Sequence, residues 1–177
     1  MGILTVEDYM KLPSWEDSGK RFELFKGKLL EMAPSATKKH EIVSDTLNFC
    51  IKRTCDDLIV LTAPMDLILD KKVVVQPDLI IMTLEKFKQS GDKIDVLPNL
   101  VVEVLSPSNK ERDLVDKFKL YKEYKIPEYW IVDIDERTLT QHYLIDKITK
   151  QYNQDDYINS KYLRCIHFKL AGVFRLA

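Results

Sequence analysis

Two acidic residues stand where the surrounding sequence is aliphatic. Glu103 sits inside Leu100-Val101-Val102-Glu103-Val104-Leu105. In an extended strand alternate side chains share a face, so Val101, Glu103 and Leu105 point the same way. An unpaired ionised carboxylate in that position would be expelled or driven toward its neutral form. A cation, or a buried lysine or arginine, makes it tolerable. Asp78 repeats the pattern between Val73-Val74-Val75-Gln76-Pro77 and Leu79-Ile80-Ile81-Met82. Pro77 removes a backbone donor there, which marks a strand edge, bulge or kink. The chain between the two acids is long enough for a loop to return the second strand beside the first. Two carboxylates converging in an apolar sheet repel each other unless a divalent cation lies between them. Hard oxygen donors favour Mg²⁺ or Mn²⁺ over zinc. Each acid also has a plainer reading, as a paired group or one at a solvated strand end. The residue pattern leaves both readings open.

The elements that must carry these acids follow from spacing. Thr5 and Asp8 have capping-box spacing, and Val6, Tyr9, Met10 and Leu12 make a short helix ended by Pro13. Residues 21–25 and 28–32 flank Lys26-Gly27 as a β-hairpin, broken by Pro34 and Ser35. From about 38 to 56 the apolar positions Ile42, Val43, Leu47, Cys50 and Ile51 fall at helical spacing. Strands are expected at 58–61, 65–69 and 73–82, with Asp70-Lys71 as a turn. A short helix and loop fill 85–98, and the strand at 100–105 follows. Ser108 and Glu111 form a second capping box, opening a helix to about Tyr124 with the stripe Leu114, Val115, Phe118 and Tyr121. Strands at 129–134, 139–145 and 148–153 complete the order, with weaker ones near the C-terminus. This is an α/β or α+β chain with a mixed central sheet flanked by helices.

Composition narrows the classes further. The chain has 177 residues, 45% hydrophobic and 31% charged, with five glycines, which suits one ordered domain. Its 27 basic and 28 acidic residues give a net charge of −1, neither favouring nor excluding a nucleic-acid partner. Cys50, Cys55 and Cys165 lack metal-ligand spacing and read as reduced thiols of a cytoplasmic protein. His40, His142 and His167 are scattered, which speaks against zinc. No signal segment and no membrane span is expected.

Taken together, Gln76-Pro77-Asp78 and Glu103-Val104-Leu105-Ser106-Pro107-Ser108 resemble the Uma family, a branch of the PD-(D/E)XK nuclease superfamily of restriction-endonuclease-like proteins. The likeness extends over almost the whole chain. It includes Thr5-Val6-Glu7-Asp8-Tyr9, Arg21-Phe22-Glu23-Leu24, Pro64-Met65-Asp66, Arg112-Asp113, Lys117, Tyr121, the run from Pro127 to Asp133, and Leu170-Ala171-Gly172-Val173-Phe174. The resemblance implies one nuclease-like domain over 1–177, with an N-terminal helix and hairpin (1–35), a catalytic core (36–135) and C-terminal strands (136–177). It implies metal-assisted hydrolysis of phosphodiester bonds, with DNA as the expected substrate. Asp78, Glu103 and the Val104 carbonyl would hold Mg²⁺ or Mn²⁺.

One position departs from the superfamily pattern. The lysine often found two residues after the second acid is here Leu105. Lys117 takes its place by resemblance, at the margin of the helix stripe, with Lys119 as competitor on the other margin. Glu23 is the expected additional acid, against a plainer reading as an exposed hairpin residue. Asp66, Arg112 and His40 are expected to face substrate. Arg112 and Asp113 otherwise read as a surface arginine and a first-turn acid complementing the helix dipole. For His40 a solvated helix-face position is favoured over a catalytic one. Tyr129 and Trp130 read as core or dimer contacts.

Three functions compete. The first is a Mg²⁺-dependent DNA endonuclease, expected as a homodimer because cutting both strands suits twofold pairing. The second is a catalytically inactive nuclease-fold protein acting as a nucleic-acid-binding or assembly module. The third is glycosidase-type acid/base work by paired carboxylates, disfavoured because no aromatic sugar cleft is evident.

Overall fold

A computed structural model, describing residues 2–13, 15–32, 37–106 and 110–176, forms the first hairpin where its turn residues require it. Lys26 (φ 50°) and Gly27 (φ 80°) both adopt the left-handed conformation of a two-residue turn, whose twist matches antiparallel strands. Across it β1 (Phe22–Phe25) pairs with β2 (Lys28–Glu31). Ahead of the hairpin lie α1 (Val6–Tyr9), started by the Thr5/Asp8 capping box, and α2 (Trp15–Ser18). The expected break at Pro34-Ser35 lies outside the described residues. So do Ser108, the cap expected for the second long helix, and Pro107.

The helix read from spacing forms as α3 (Lys38–Thr54), capped by Thr37, and buries Val43, Leu47, Cys50 and Ile51. Each fully buried aliphatic side chain contributes roughly 1.5–3 kcal/mol. β3 (Leu58–Thr62) and β4 (Leu67–Asp70) follow. The single strand expected at 73–82 is in fact two, β5 (Val73–Val75) and β6 (Leu79–Thr83). They belong to different sheets. β5 sits in a four-stranded antiparallel sheet of order β2-β1-β5-β4, whereas β6 enters the main sheet. Pro77 lacks the N–H that either ladder would need, so Gln76-Pro77-Asp78 becomes the crossing between sheets. That crossing positions the site.

After α4 (Leu84–Gln89), β7 (Leu100–Val104) runs antiparallel to β6 and parallel to β8 (Glu128–Asp133). With β9 (Thr138–Tyr143) and β10 (Ile148–Asn153) the main sheet has order β10-β9-β8-β7-β6-β3, a mixed sheet flanked by helices. A small pair, β11 (Tyr157–Asn159) and β12 (His167–Lys169), follows. On one face of the main sheet, Leu79, Val102, Trp130 and Val132 pack on α3 and on the C-terminal residues Phe168 and Phe174. On the other, Ile80, Val101, Leu105, Tyr129 and Ile131 pack beneath Leu120 and Tyr121. Tyr129 and Trp130 are core residues, both fully buried. Among the described residues no helix is long and apolar enough to cross a membrane.

The connection from β7 to β8 corrects the expected stripe. It contains a π-helical turn, Arg112–Lys117, before α5 (Phe118–Glu123). Leu114 and Val115 are each 41% exposed, while Asp113, Lys117, Leu120 and Tyr121 are buried. A wider turn alters the angle per residue, so an α-helical wheel misassigns that segment. The row facing the sheet carries an acid and a lysine.

A second correction concerns the cysteines. Cys55, at the end of α3, and Cys165 form a disulfide with their Cα atoms 5.4 Å apart, leaving Cys50 as a free, buried thiol. The partners are 110 residues apart, a separation that spacing could not connect. With two of three thiols paired, the thiol argument for a cytoplasmic protein fails. Thiol titration of the unreduced, denatured protein should therefore count one thiol. Cys55→Ser should lower stability by about 2–4 kcal/mol in a denaturant melt, because a long loop is no longer cross-linked. Three reactive thiols would contradict the pairing.

Glu128 has a structural role that the sequence did not suggest. Its enclosed carboxylate accepts hydrogen bonds from the Trp130 indole (2.6 Å), the Gln141 amide (2.5 Å) and the Ser160 hydroxyl (2.6 Å). It thereby ties the C-terminal segment to the sheet.

Candidate active site

Leu79 opposes Val102 in the β6–β7 ladder, and one further step of that register sets Asp78 opposite Glu103. Directly opposed residues of an antiparallel pair share a face. Glu103 faces the π-helical turn and α5 through Lys117 and Tyr121, whereas Asp78 reaches His40 of α3 at the end of the ladder. Each has one oxygen held by described residues. Asp78 Oδ2 accepts the Val104 N–H at 2.7 Å and lies 3.2 Å from His40 Nε2. Glu103 Oε1 accepts from Lys117 Nζ at 2.7 Å and from the Tyr121 hydroxyl at 3.0 Å. No hydrogen bond joins Asp78 Oδ1 or Glu103 Oε2 to another described residue.

Lys117 sits at the centre of the acids. Besides Glu103, its ammonium lies 3.3 Å from Glu23 Oε1 and 3.5 Å from Asp113 Oδ1. Burial alone would favour the neutral amine, but the charges of Glu103, Glu23 and Asp113 outweigh it and drive the pKa up. The surrounding acids therefore favour the ammonium form of Lys117. Burial pushes Glu103 well above the usual carboxylate range, with the Lys117 charge opposing it and the neighbouring acids adding to it. Asp113, for the same leading reason, is pushed up to about 6.

Glu23, from β1, is fully buried rather than exposed on its hairpin. It accepts the Gln76 N–H at 2.7 Å and is ion-paired to Arg112. Arg112 is held by that pair and lies over the Phe25 ring, 5.9 Å from its centroid, so it is not a surface arginine. His40, only 9% exposed, is not a solvated helix-face residue. Burial works against its protonation, yet the hydrogen bond and charge of Asp78 raise its pKa, assisted by the Val104 backbone. Lys119, the competitor of Lys117, is exposed. Asp66 stands apart, accepting from the Tyr9 hydroxyl and the Gln76 amide. The sequence reading missed Asp113. An acid four residues before a suspected site lysine, on the same helix row, was the available signal.

The crowding of Asp78, Glu103, Glu23 and Asp113 around Lys117 and Arg112 adds to burial in holding protons on Glu103 and Asp113. Among the described residues no three His, Cys, Asp or Glu side chains are grouped closely enough to enclose an ion. The carboxylates of Asp78 and Glu103 are hard oxygen donors, the chemistry that Mg²⁺ or Mn²⁺ takes.

Because Lys117 retains Glu23 and Asp113 as counter-charges, Glu103→Gln should cost little. We expect a change within about 1.5 kcal/mol in a thermal melt, since loss of one buried acid offsets loss of its pair. A larger drop would make the Glu103–Lys117 pair the main support of the site.

A family model described as "Putative restriction endonuclease", Uma2, matches residues 6–163. The chain belongs to the Uma2 family. Among solved structures, the Uma2 chain is similar to a "putative nuclease belonging to DUF820" from Anabaena variabilis ATCC 29413. The TM-score is 0.82 at 15% identity, over 97% of this chain and 98% of the other, a likeness of fold. No curated protein matches.

Proposed function

We propose that the protein is a divalent-metal-dependent endonuclease that hydrolyses phosphodiester bonds of DNA. What supports the proposal most is the closeness of Asp78 and Glu103 at the end of the β6–β7 ladder, near enough for Asp78 to act on the Glu103 charge, beside the buried Lys117. The family description, restriction endonuclease, supports DNA as the substrate. A cation held by Asp78, Glu103 and the Val104 carbonyl would supply Lewis-acid polarisation of the phosphate and a more acidic water.

The chain's own groups have separable tasks. The Lys117 ammonium, shared by three acids, would exchange its longest contact, the 3.5 Å one to Asp113, to donate to charge developing on a phosphate oxygen. Tyr121 and Lys117 fix Glu103 by its Oε1, and the Val104 N–H fixes Asp78 by its Oδ2. Glu23 and Asp113 hold Lys117 over Glu103, and Glu23 also anchors Arg112 beside the site. His40 borders Asp78, where it excludes bulk water and offers a polar contact to substrate. Twofold pairing of two such chains would cut both strands.

The second reading, a binding or assembly module without cleavage, draws support from the Lys117–Glu103 ion pair, which satisfies Glu103 without any metal. Titrating Mg²⁺ and Mn²⁺ against plasmid and single-stranded DNA separates the two. Cleavage should rise with either metal and stop on chelation. DNA retention without cleavage at any metal concentration would favour the module.

A further inference from the structure

Along the face of the main sheet that carries Glu103, the register continues through Ile131 and Thr140 to Gln151. The rows on either side run Tyr129, His142, Thr149 and Asp133, Thr138, Asn153. Directly opposed residues share a face, and the rings agree with the register. His142 lies edge-on to Phe118 of α5 at 4.8 Å and stacks on Tyr129 at 6.0 Å. Tyr129 and Ile131 are buried, Thr138, Thr140 and His142 half-buried, and Thr149, Gln151 and Asn153 exposed. The cover given by the π-helical turn and α5 therefore stops at β9, and the β9–β10 ribbon turns this face to solvent.

A free sheet edge is ordinarily guarded by charge, lysine above all. β10 keeps its Lys150 on the opposite face, over the Tyr143 ring. The site-side face carries only Thr138, Thr140, His142, Thr149, Gln151 and Asn153, and burial pushes His142 down, toward its neutral form. His142 Nδ1 and Thr149 Oγ1 lie 2.8 Å apart, while the side-chain amides of Gln151 and Asn153 have no partner among the described residues. Carboxylates stay at the margins. Asp133 is tied to Lys110 at 2.9 Å, and Asp135, Glu136, Asp155 and Asp156 lie in turns beyond the last pair of the ribbon. On the α5 side a cation, Lys122, sits 5.9 Å from the centre of the Phe118 ring.

We infer that the β9–β10 ribbon enters the major groove of duplex DNA and reads A·T base pairs through Gln151 and Asn153. The inference rests on the nuclease reading for DNA as the partner and on the ribbon for sequence. The major groove admits a two-stranded ribbon, and its base edges present neutral donors and acceptors. A glutamine or asparagine amide meets adenine N6 and N7 with two hydrogen bonds at once, and threonine methyls suit the thymine methyl. Lys122, at the margin, supplies charge for a phosphate bordering the groove. Neighbouring strands are about 4.8 Å apart, which sets β9 and β10 about 10 and 14 Å from the strand of Glu103. At about 3.4 Å per base pair, the pairs read lie about three to four steps from the phosphate at the acids.

The test reads binding of duplex oligonucleotides to the wild-type protein by fluorescence anisotropy, at one salt concentration and with a chelator present, so cleavage does not enter the result. An A·T duplex should bind about tenfold more tightly than a G·C duplex of equal length. Changing Gln151→Ala and Asn153→Ala together should erase that advantage and leave the G·C affinity unchanged. Both side chains are exposed, so the fold depends little on them. Replacing adenine by 7-deazaadenine removes the N7 acceptor and keeps base pairing, and it should cost the wild type the same advantage. A preference drawn from minor-groove shape would survive that replacement. The 7-deazaadenine duplex also decides the matter should the double variant fail to fold. Equal binding of both duplexes, no binding, or a preference that survives either change overturns the inference. So does a double variant that loses a dimer in sedimentation and keeps its DNA preference, since the ribbon would then join two copies of the chain. An A·T preference in a protein that cleaves no DNA would separate the ribbon from the nuclease reading. Cleavage without preference would do the reverse.

Discussion

Lys117→Met should be the most destabilising single change at the site. The side chain fits the same space, but Glu103, Glu23 and Asp113 lose the cation they share at 2.7, 3.3 and 3.5 Å. Breaking a buried ion pair from one side costs about 3–5 kcal/mol, because the partner is left charged and dry. In a chain of this size that corresponds to a melting temperature lower by roughly 10 °C. The penalty should depend on pH. Asp113 is pushed up to about 6 by burial even with Lys117 opposing it, and Glu103 lies well above the carboxylate range. Both have folded-state pKa values above their unfolded ones. The folded form therefore binds more protons, and stability falls as pH rises through the folded pKa. Without Lys117 both values climb further, so the variant should lie closer to wild type at pH 5 than at pH 8. Melts at the two pH values decide it. An equal gap at both, or a gap below about 1 kcal/mol, would mean the acids are solvated in the folded chain.

The carboxylates were legible because strands are binary: a charge in LVVEVL or beside VVVQPDLIIM violates the pattern of its own segment. Helix α3 and the hairpin were legible for the same reason, since period and turn chemistry are local. What was not legible depends on distant partners. The single strand expected at 73–82 splits because each half finds a different sheet. The disulfide joins positions that no local rule connects. His40 looked solvated because only Asp78, far along the chain, gives it a reason to be buried. Asp113 was obscured by the π-helical turn, and Lys117 could be placed only at the margin of the stripe. A 100° wheel puts Leu114 and Val115 inward, whereas the observed row turns two charges toward the sheet. A polar row facing an apolar sheet is intelligible only once Glu103 is known to await it.

Asp78→Asn should have the opposite profile to Lys117→Met, with little effect on stability and a large one on catalysis. The amide oxygen keeps the 2.7 Å bond from the Val104 N–H, so the crossing between sheets and the start of β6 should hold. The negative charge is lost, and with it one of two carboxylates available to a divalent ion. Removal of even outer groups of a metal site commonly costs 10–100-fold, so loss of a direct donor should reduce metal-stimulated DNA cleavage by at least about 100-fold. The melting temperature should stay within roughly 3 °C of wild type. Removing a charge also weakens the repulsion on Glu103, which counts Asp78 among the acids raising its pKa. That gain offsets the weaker hold on the buried His40 ring, so the net change in stability should be small. Cleavage at the wild-type rate in Asp78→Asn would point to a contaminating enzyme and remove Asp78 from the chemistry. Loss of cleavage together with a collapse in stability would make Asp78 the clamp of the sheet crossing, leaving Glu103 and Lys117 to carry the reaction.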